Sequence, residues 1–230
     1  MIRLQSNILV GILLMLFGLP AMAQVGEMRK NFAVGVNGGV NLNSVSFTPT
    51  IKQGSLMGMT GGVTARYISE KYFAMICGIQ MELNYAQHGW KEQYDESTDS
   101  YSRTMDYVEI PLLAHLAFGK DRGVQFFLNL GPQIGFLLSE SEKYEYTGNK
   151  WEPENRVKEQ YGKMADNKFD YGIVGGGGFE LRSKAGNFLI EGRYYFALSD
   201  FYNNSKKDYF SRSAHSTIQA KVTYLFDISK

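Results

Sequence analysis

What this 230-residue chain has little of narrows the reading first. It holds one cysteine, Cys77, so no internal disulfide framework can form. Its three histidines, His88, His115 and His215, lack the spacing of a metal site, and no metal or other cofactor is expected. Neither sign of charge dominates, with 24 Lys and Arg against 23 Asp and Glu, so no nucleic-acid partner is implied. After residue 24 no apolar run approaches the length of a membrane-crossing helix. If the chain enters a membrane, it must do so as a closed barrel, because open strands would leave backbone groups unsatisfied in lipid.

What is there begins with an address. Arg3 supplies a short positive region, Ile8 to Leu19 is apolar, and Pro20 leads into Ala21-Met22-Ala23 ahead of Gln24. That arrangement predicts a secretory signal peptide over residues 1–23, with one barrel domain over 24–230.

The clearest pattern in the remainder runs from Asp106 to Leu138. Val108, Ile110, Leu112, Ala114, Leu116 and Phe118 share one parity, while Tyr107, Glu109, Pro111, Leu113, His115 and Ala117 take the other. After the polar turn Gly119 to Gly123, a second arm repeats the alternation from Val124 to Phe136. A period of two means strand. One face is continuously apolar, and the other carries amides, glycines and a carboxylate. The same alternation recurs over Phe32–Asn43, Leu56–Tyr67, Phe73–His88, Phe169–Leu181, Asn187–Leu198 and Ala214–Phe226.

These segments predict an all-β, up-and-down antiparallel transmembrane β-barrel of about eight strands. Long polar connections (Gly89–Thr104, Ser139–Lys168 and Ser199–Arg212) alternate with short turns, including one at Ile68–Lys71. Such alternation suits an outer-membrane barrel with long extracellular loops and both termini periplasmic. A lipocalin-like barrel would have the reverse polarity, apolar inside and polar outside. The expected location is the cell outer membrane, with membrane lipid as the first partner.

The inward parity gathers the candidate site: a lumen charge network of Arg66, Glu82, Glu109, Glu180, Glu191, Arg193 and Lys221. Strand pairing about the turn near Arg182 is expected to set Glu180 opposite Glu191, with Lys221 and Arg193 close by. An eight-stranded barrel is only wide enough for its own side chains, so this set reads as a plug. An ion path is the alternative.

Other motifs carry less. Gly175 to Gly178 lacks the Lys-Ser/Thr of a phosphate loop and lies within a strand, so the inward Gly176 and Gly178 are read as making room for larger neighbours. Ser213, His215 and Ser216 cannot form a triad side by side, and no enzymatic activity is expected. Tyr67, Phe73, Phe118, Tyr224 and Phe226 suit an interfacial girdle. Trp90, Tyr94, Tyr101, Tyr144, Tyr146 and Trp151 would suit a carbohydrate-stacking surface on the loops.

A family resemblance rests on longer phrases: Met81 to Gly89, Tyr107 to Leu113, Gly131-Pro132, Phe169 to Glu180 and Glu191 to Tyr195. In these the chain resembles the PorT-like outer-membrane β-barrels of Bacteroidota, across essentially the whole segment after the signal. The resemblance implies the architecture of small OmpX- and OmpA-type barrels. The role expected of such a barrel is presenting extracellular loops for interaction or envelope maintenance, with a protein partner at the extracellular loops or periplasmic face. Through the family's namesake the resemblance implies, as an alternative, an accessory part in protein secretion and sorting across the outer membrane. A narrow channel is the third expectation. The ending Phe226-Asp227-Ile228-Ser229-Lys230 departs from the terminal aromatic usual in such barrels.

Overall fold

The computed structural model describes residues 26–93, 99–146 and 156–229. The expected signal peptide therefore lies outside the described residues. Eight long strands carry the fold: β1 (Glu27–Thr48), β2 (Leu56–Tyr72), β3 (Met75–Glu92), β4 (Ser100–Gly119), β5 (Gly123–Glu145), β6 (Phe169–Arg182), β7 (Asn187–Ala197) and β8 (Arg212–Ser229). Each pairs antiparallel with the next, and β1 pairs with β8 from Phe32↔Ser229 to Thr48↔Arg212. The sheet thus closes into a ring of eight strands without crossovers, as the alternating pattern predicts. A two-residue strand, Gln53–Gly54, adds to the far end of β3 opposite Glu92 and Lys91.

The apolar parity points outward. Val36, Met59, Val63, Ile79, Met81, Leu130, Ile173, Ile190 and Ile218 are each about half exposed or more, a belt fit for lipid rather than water. Tyr67, Phe73, Phe118 and Phe226 point outward around the short-turn end. Inward side chains are almost all buried: Arg66, Gln80, Glu82, Asn84, Glu109, Gln133, Glu191, Arg193 and Lys221 are at most 3% exposed.

Three sequence expectations need correction. The segments from Gly89 and Ser139 are not loops from their first residue, since β3 runs on to Glu92 and β5 to Glu145. There the outward parity turns polar (Ser102, Thr104, Ser139, Ser141) and looks like loop, while the inward parity keeps large side chains such as Trp90, Tyr101 and Met105. The turn between β2 and β3 falls at Phe73-Ala74, between the partners Tyr72 and Met75, not at Ile68–Lys71. Phe73 takes φ 52°, a conformation rarely adopted by a bulky side chain. Finally, the β6–β7 turn is tighter than expected. Ser183 bonds Gly186 through both its N–H and its hydroxyl, Arg182 faces Asn187, and Glu180 therefore faces Leu189. The residue opposite Glu191 is Gly178.

The tops of the strands meet their hydrogen-bonding needs in one unusual way. Beyond Asn43↔Leu56, β1 has lost β2 as its neighbour. The Gln53 side chain takes that place, accepting from Val45 N at 2.9 Å and donating to Val45 O at 2.5 Å.

Candidate functional site

The lumen is layered. Nearest the short turns lies an apolar floor of Ile68, Ile76, Phe127, Leu189 and Leu225 with Ala33 and Ala117. These follow the inward parity of their strands, which is therefore less uniformly polar than the charged residues suggest.

Above the floor, Arg66 grips Glu180 with two hydrogen bonds of 2.6 Å. His115 lies 3.4 Å from the same guanidinium through Nε2 and meets Asn129 Oδ1 at 2.8 Å through Nδ1. The next layer centres on Glu82. Arg193 donates to both of its oxygens at 2.9 and 2.6 Å, and Lys221 Nζ reaches Oε2 at 2.7 Å. Gln80 and Asn84 add donors at 2.8 and 2.9 Å. Arg193 also bonds Glu191 at 2.8 Å, and Asn129 joins Glu191 at 2.7 Å, linking the two layers. Buried charges are tolerated when paired and hydrogen-bonded, and here both conditions are met.

Six of the seven expected residues thus fall in two joined ion-pair groups, Arg66 with Glu180, and Glu82 with Glu191, Arg193 and Lys221. The register brings Glu191 opposite Lys221, yet the ammonium turns across the lumen to Glu82. Arg193 pairs with Glu82 and Glu191 and not with Glu180. Glu109 stands apart from the cations. Its Oε1 lies 2.5 Å from His88 Nε2 and accepts from Gln133 at 2.8 Å. Thr217 spends its hydroxyl proton on Asn43 Oδ1 at 2.9 Å, so its oxygen is left to accept from His88 Nδ1 at 3.0 Å. His88 and Glu109 must then hold one further proton between them. The His215 ring lies tilted 5.2 Å from that of His88 and meets the Tyr107 hydroxyl at 3.2 Å; Asp170 accepts from Tyr195 at 2.6 Å.

The wall makes room for these groups. Gly176 faces Arg193, and a Cβ there would lie 2.7 Å from Arg193 Cγ and 2.3 Å from the Gly192 carbonyl. Gly175 to Gly178 is part of β6, and its inward members face Arg193 and Glu191.

A cap of rings closes the far end. Phe47, Trp90, Tyr101, Phe201, Tyr202 and Phe210 are buried together, with Trp90 stacked on Phe201 at 5.7 Å. Arg103 passes 5.6 Å over the Trp90 ring and bonds Glu140 at 2.6 Å and also Glu142. Phe201, Tyr202 and Phe210 come from the β7–β8 connection, and Gln160 of the β5–β6 connection is fully buried against Glu92 at 2.7 Å.

A strand ring with a lipid-suited exterior and a polar, side-chain-filled interior is the architecture of a membrane barrel, and residues 22–203 match the family described as outer membrane protein beta-barrel domain. The chain belongs to that family. It is a small outer-membrane β-barrel protein. Among solved structures, the outer membrane protein OprG from Pseudomonas aeruginosa is 13% identical, with 87% of this chain and 98% of that one covered at a TM-score of 0.49. Neisserial surface protein A is 14% identical over 85% of this chain and 97% of its own, with a TM-score of 0.41. The attachment invasion locus protein Ail of Yersinia pestis is 12% identical over 86% and 100%, with a TM-score of 0.36. No curated protein matches the chain.

The rim of this outer-membrane barrel bears on two expectations. Trp90 and Tyr101 are fully buried in the cap and Tyr144 packs against it, so these three offer no stacking surface for carbohydrate; Tyr146 is exposed, and Tyr94 and Trp151 lie outside the described residues. The Ser213–Ser216 group is split by its own alternation. Ser213 accepts from Tyr202 N at 2.9 Å inside the barrel, while Ser216 meets the Tyr194 hydroxyl at 2.7 Å on the outer face. The residues missed in the sequence, His88, Asn129, Gln133, Asp170 and Tyr195, all lie on the inward parity. That parity was the signal that could have found them.

Proposed function

We propose that this outer-membrane barrel works as a closed scaffold and not as a pore, with the long-connection end as its extracellular, partner-facing surface. The observation that carries the reading is the filling of the lumen by described residues, from the Phe127 floor through the Arg66–Glu180 and Glu82–Arg193 layers to the Trp90–Phe201 cap. Each layer commits its charges to one another, which leaves little to conduct an ion. Its role is then interaction or envelope maintenance, through a protein partner at the long loops or at the periplasmic face. Export by the signal peptide of residues 1–23 delivers it to the outer membrane. The motifs around Met81–Gly89, Tyr107–Leu113 and Glu191–Tyr195 support its placement among PorT-like barrels of Bacteroidota.

Planar-bilayer recording on the purified protein tests the closed state. The expected result is no steady water-filled conductance. A reproducible large open state sinks the scaffold reading in favour of a channel. Trypsin applied to intact cells tests the orientation, and it is expected to spare the turn at Lys120–Arg122.

A further inference from the structure

At the short-turn mouth, one cation is left over by the lumen network. Below the apolar floor, inward residues of β1, β6, β7 and β8 enclose a cleft of about 170 Å³, with Asp121, Arg122 and Lys184 at its lip. Its acids are already engaged. Asp121 takes Arg29 at 2.9 and 3.1 Å and Lys71 at 2.9 Å, and Asp227 accepts from the Asn187 amide at 2.8 Å.

Arg182 is different. Its side chain is 10% exposed, yet its carboxylate contact is a 3.7 Å approach to Glu180 Oε1. Both Glu180 oxygens are held by Arg66 at 2.6 Å, and the Arg182 side chain forms no hydrogen bond with any described residue. A guanidinium held by one long ion pair and no hydrogen bond keeps its donors free, and its planar fork matches an oxyanion. Directly across the β6–β7 pairing stands Asn187, 1% exposed, whose amide nitrogen is committed to Asp227 and whose Oδ1 is buried without a partner. The cleft therefore offers a spare cationic donor beside a spare acceptor.

The geometry points to a phosphate-binding site in this vestibule. A phosphate that keeps one proton accepts from Arg182 and donates to Asn187 Oδ1 at once. A carboxylate can do only the first. Arg122 and Lys184 at the lip strengthen attraction without contacting the bound group as closely. The ligand is inorganic phosphate or the phosphate monoester end of a larger molecule that reaches the periplasmic mouth.

Titration calorimetry on the full-length barrel in detergent tests the site, with inorganic phosphate, glycerol 3-phosphate and acetate as probes. Saturable phosphate binding at least tenfold tighter than acetate is expected. Tighter binding of inorganic phosphate or of glycerol 3-phosphate assigns the free ion or the ester as the preferred source. Arg182→Gln is expected to weaken phosphate binding tenfold or more. The double variant Arg122→Gln/Lys184→Gln, confined to exposed turns, is expected to weaken it about threefold and to steepen no other property of the barrel. Heat-shifted gel mobility verifies that each variant is folded. Absence of saturable phosphate binding, equal affinity for acetate, or unchanged affinity in the double variant overturns the proposal.

Discussion

The two halves of the lumen are closed by different means. Near the short turns, closure rests on ion pairs between strands far apart in the chain: Arg66 with Glu180, 114 residues away, and Glu82 with Lys221, 139 away. Near the long connections it rests on rings, several of them carried in by loops, with Arg103 as the cation of that layer bonded to Glu140 and Glu142. The Arg66–Glu180 and Glu82–Arg193–Lys221 pairs can form only when the ring of strands is complete, because their partners sit on distant strands. The aromatic half can loosen at its loops while the strands stay paired. The lower half therefore reports on barrel closure and the upper half on the lid.

Arg193→Ala gives the largest expected effect. It leaves Glu82 and Glu191 short of a buried partner, typically a loss of about 3–5 kcal/mol. The temperature at which gel mobility shifts in SDS should fall far more than for Lys120→Ala, whose side chain lies on an exposed turn. Adding Glu82→Gln to Arg193→Ala should recover part of the loss if the two are coupled. An unchanged transition in Arg193→Ala would mean the charged half does not hold the barrel shut.

Phe201→Ala should come next. It opens a cavity against Phe47 and Trp90, worth about 3 kcal/mol for a buried phenylalanine. The loss is local: proteolysis within residues 199–211 should rise while the SDS transition moves little. A fall as large as that of Arg193→Ala would erase the distinction between the halves.

Asp121→Asn should be the smallest, within about 1 kcal/mol, because the carboxylate is half exposed and its ion pairs are screened. Hydrogen bonds from Arg29 and Lys71 hold the Asp121 carboxyl down to about 2. A carboxyl depressed on folding stabilises above its unfolded range and loses that contribution as pH falls towards its folded value. Acid titration of the SDS transition from about pH 4 to 2 should thus show a small extra drop in the natural protein that Asp121→Asn lacks.

The eight strands and the facing of their side chains were legible because alternation needs no knowledge of neighbours. Register was not. A difference of two residues in the β6–β7 turn moves Glu180 from Glu191 to Leu189, and nothing in Arg182 to Gly186 announces how tightly that turn closes. Nor could alternation show that Lys221 would bypass its cross-strand neighbour for Glu82, since that choice is made across the bore. The cap was hidden for another reason. Its strand extensions have polar outer faces once clear of the lipid belt, and Phe201, Tyr202 and Phe210 arrive from a connection with no periodicity at all.

The side chain of Gln53 has a consequence for how these molecules behave in a crowded envelope. The top of β1 stands clear of the lipid belt with β8 on one side only. A bare strand margin there would invite any extended polypeptide to attach and, copy upon copy, to grow into a fibre. By meeting both the N–H and the carbonyl of Val45, one amide occupies the first rung of that ladder. The barrel can raise its walls above the membrane at this point without offering a template to its neighbours.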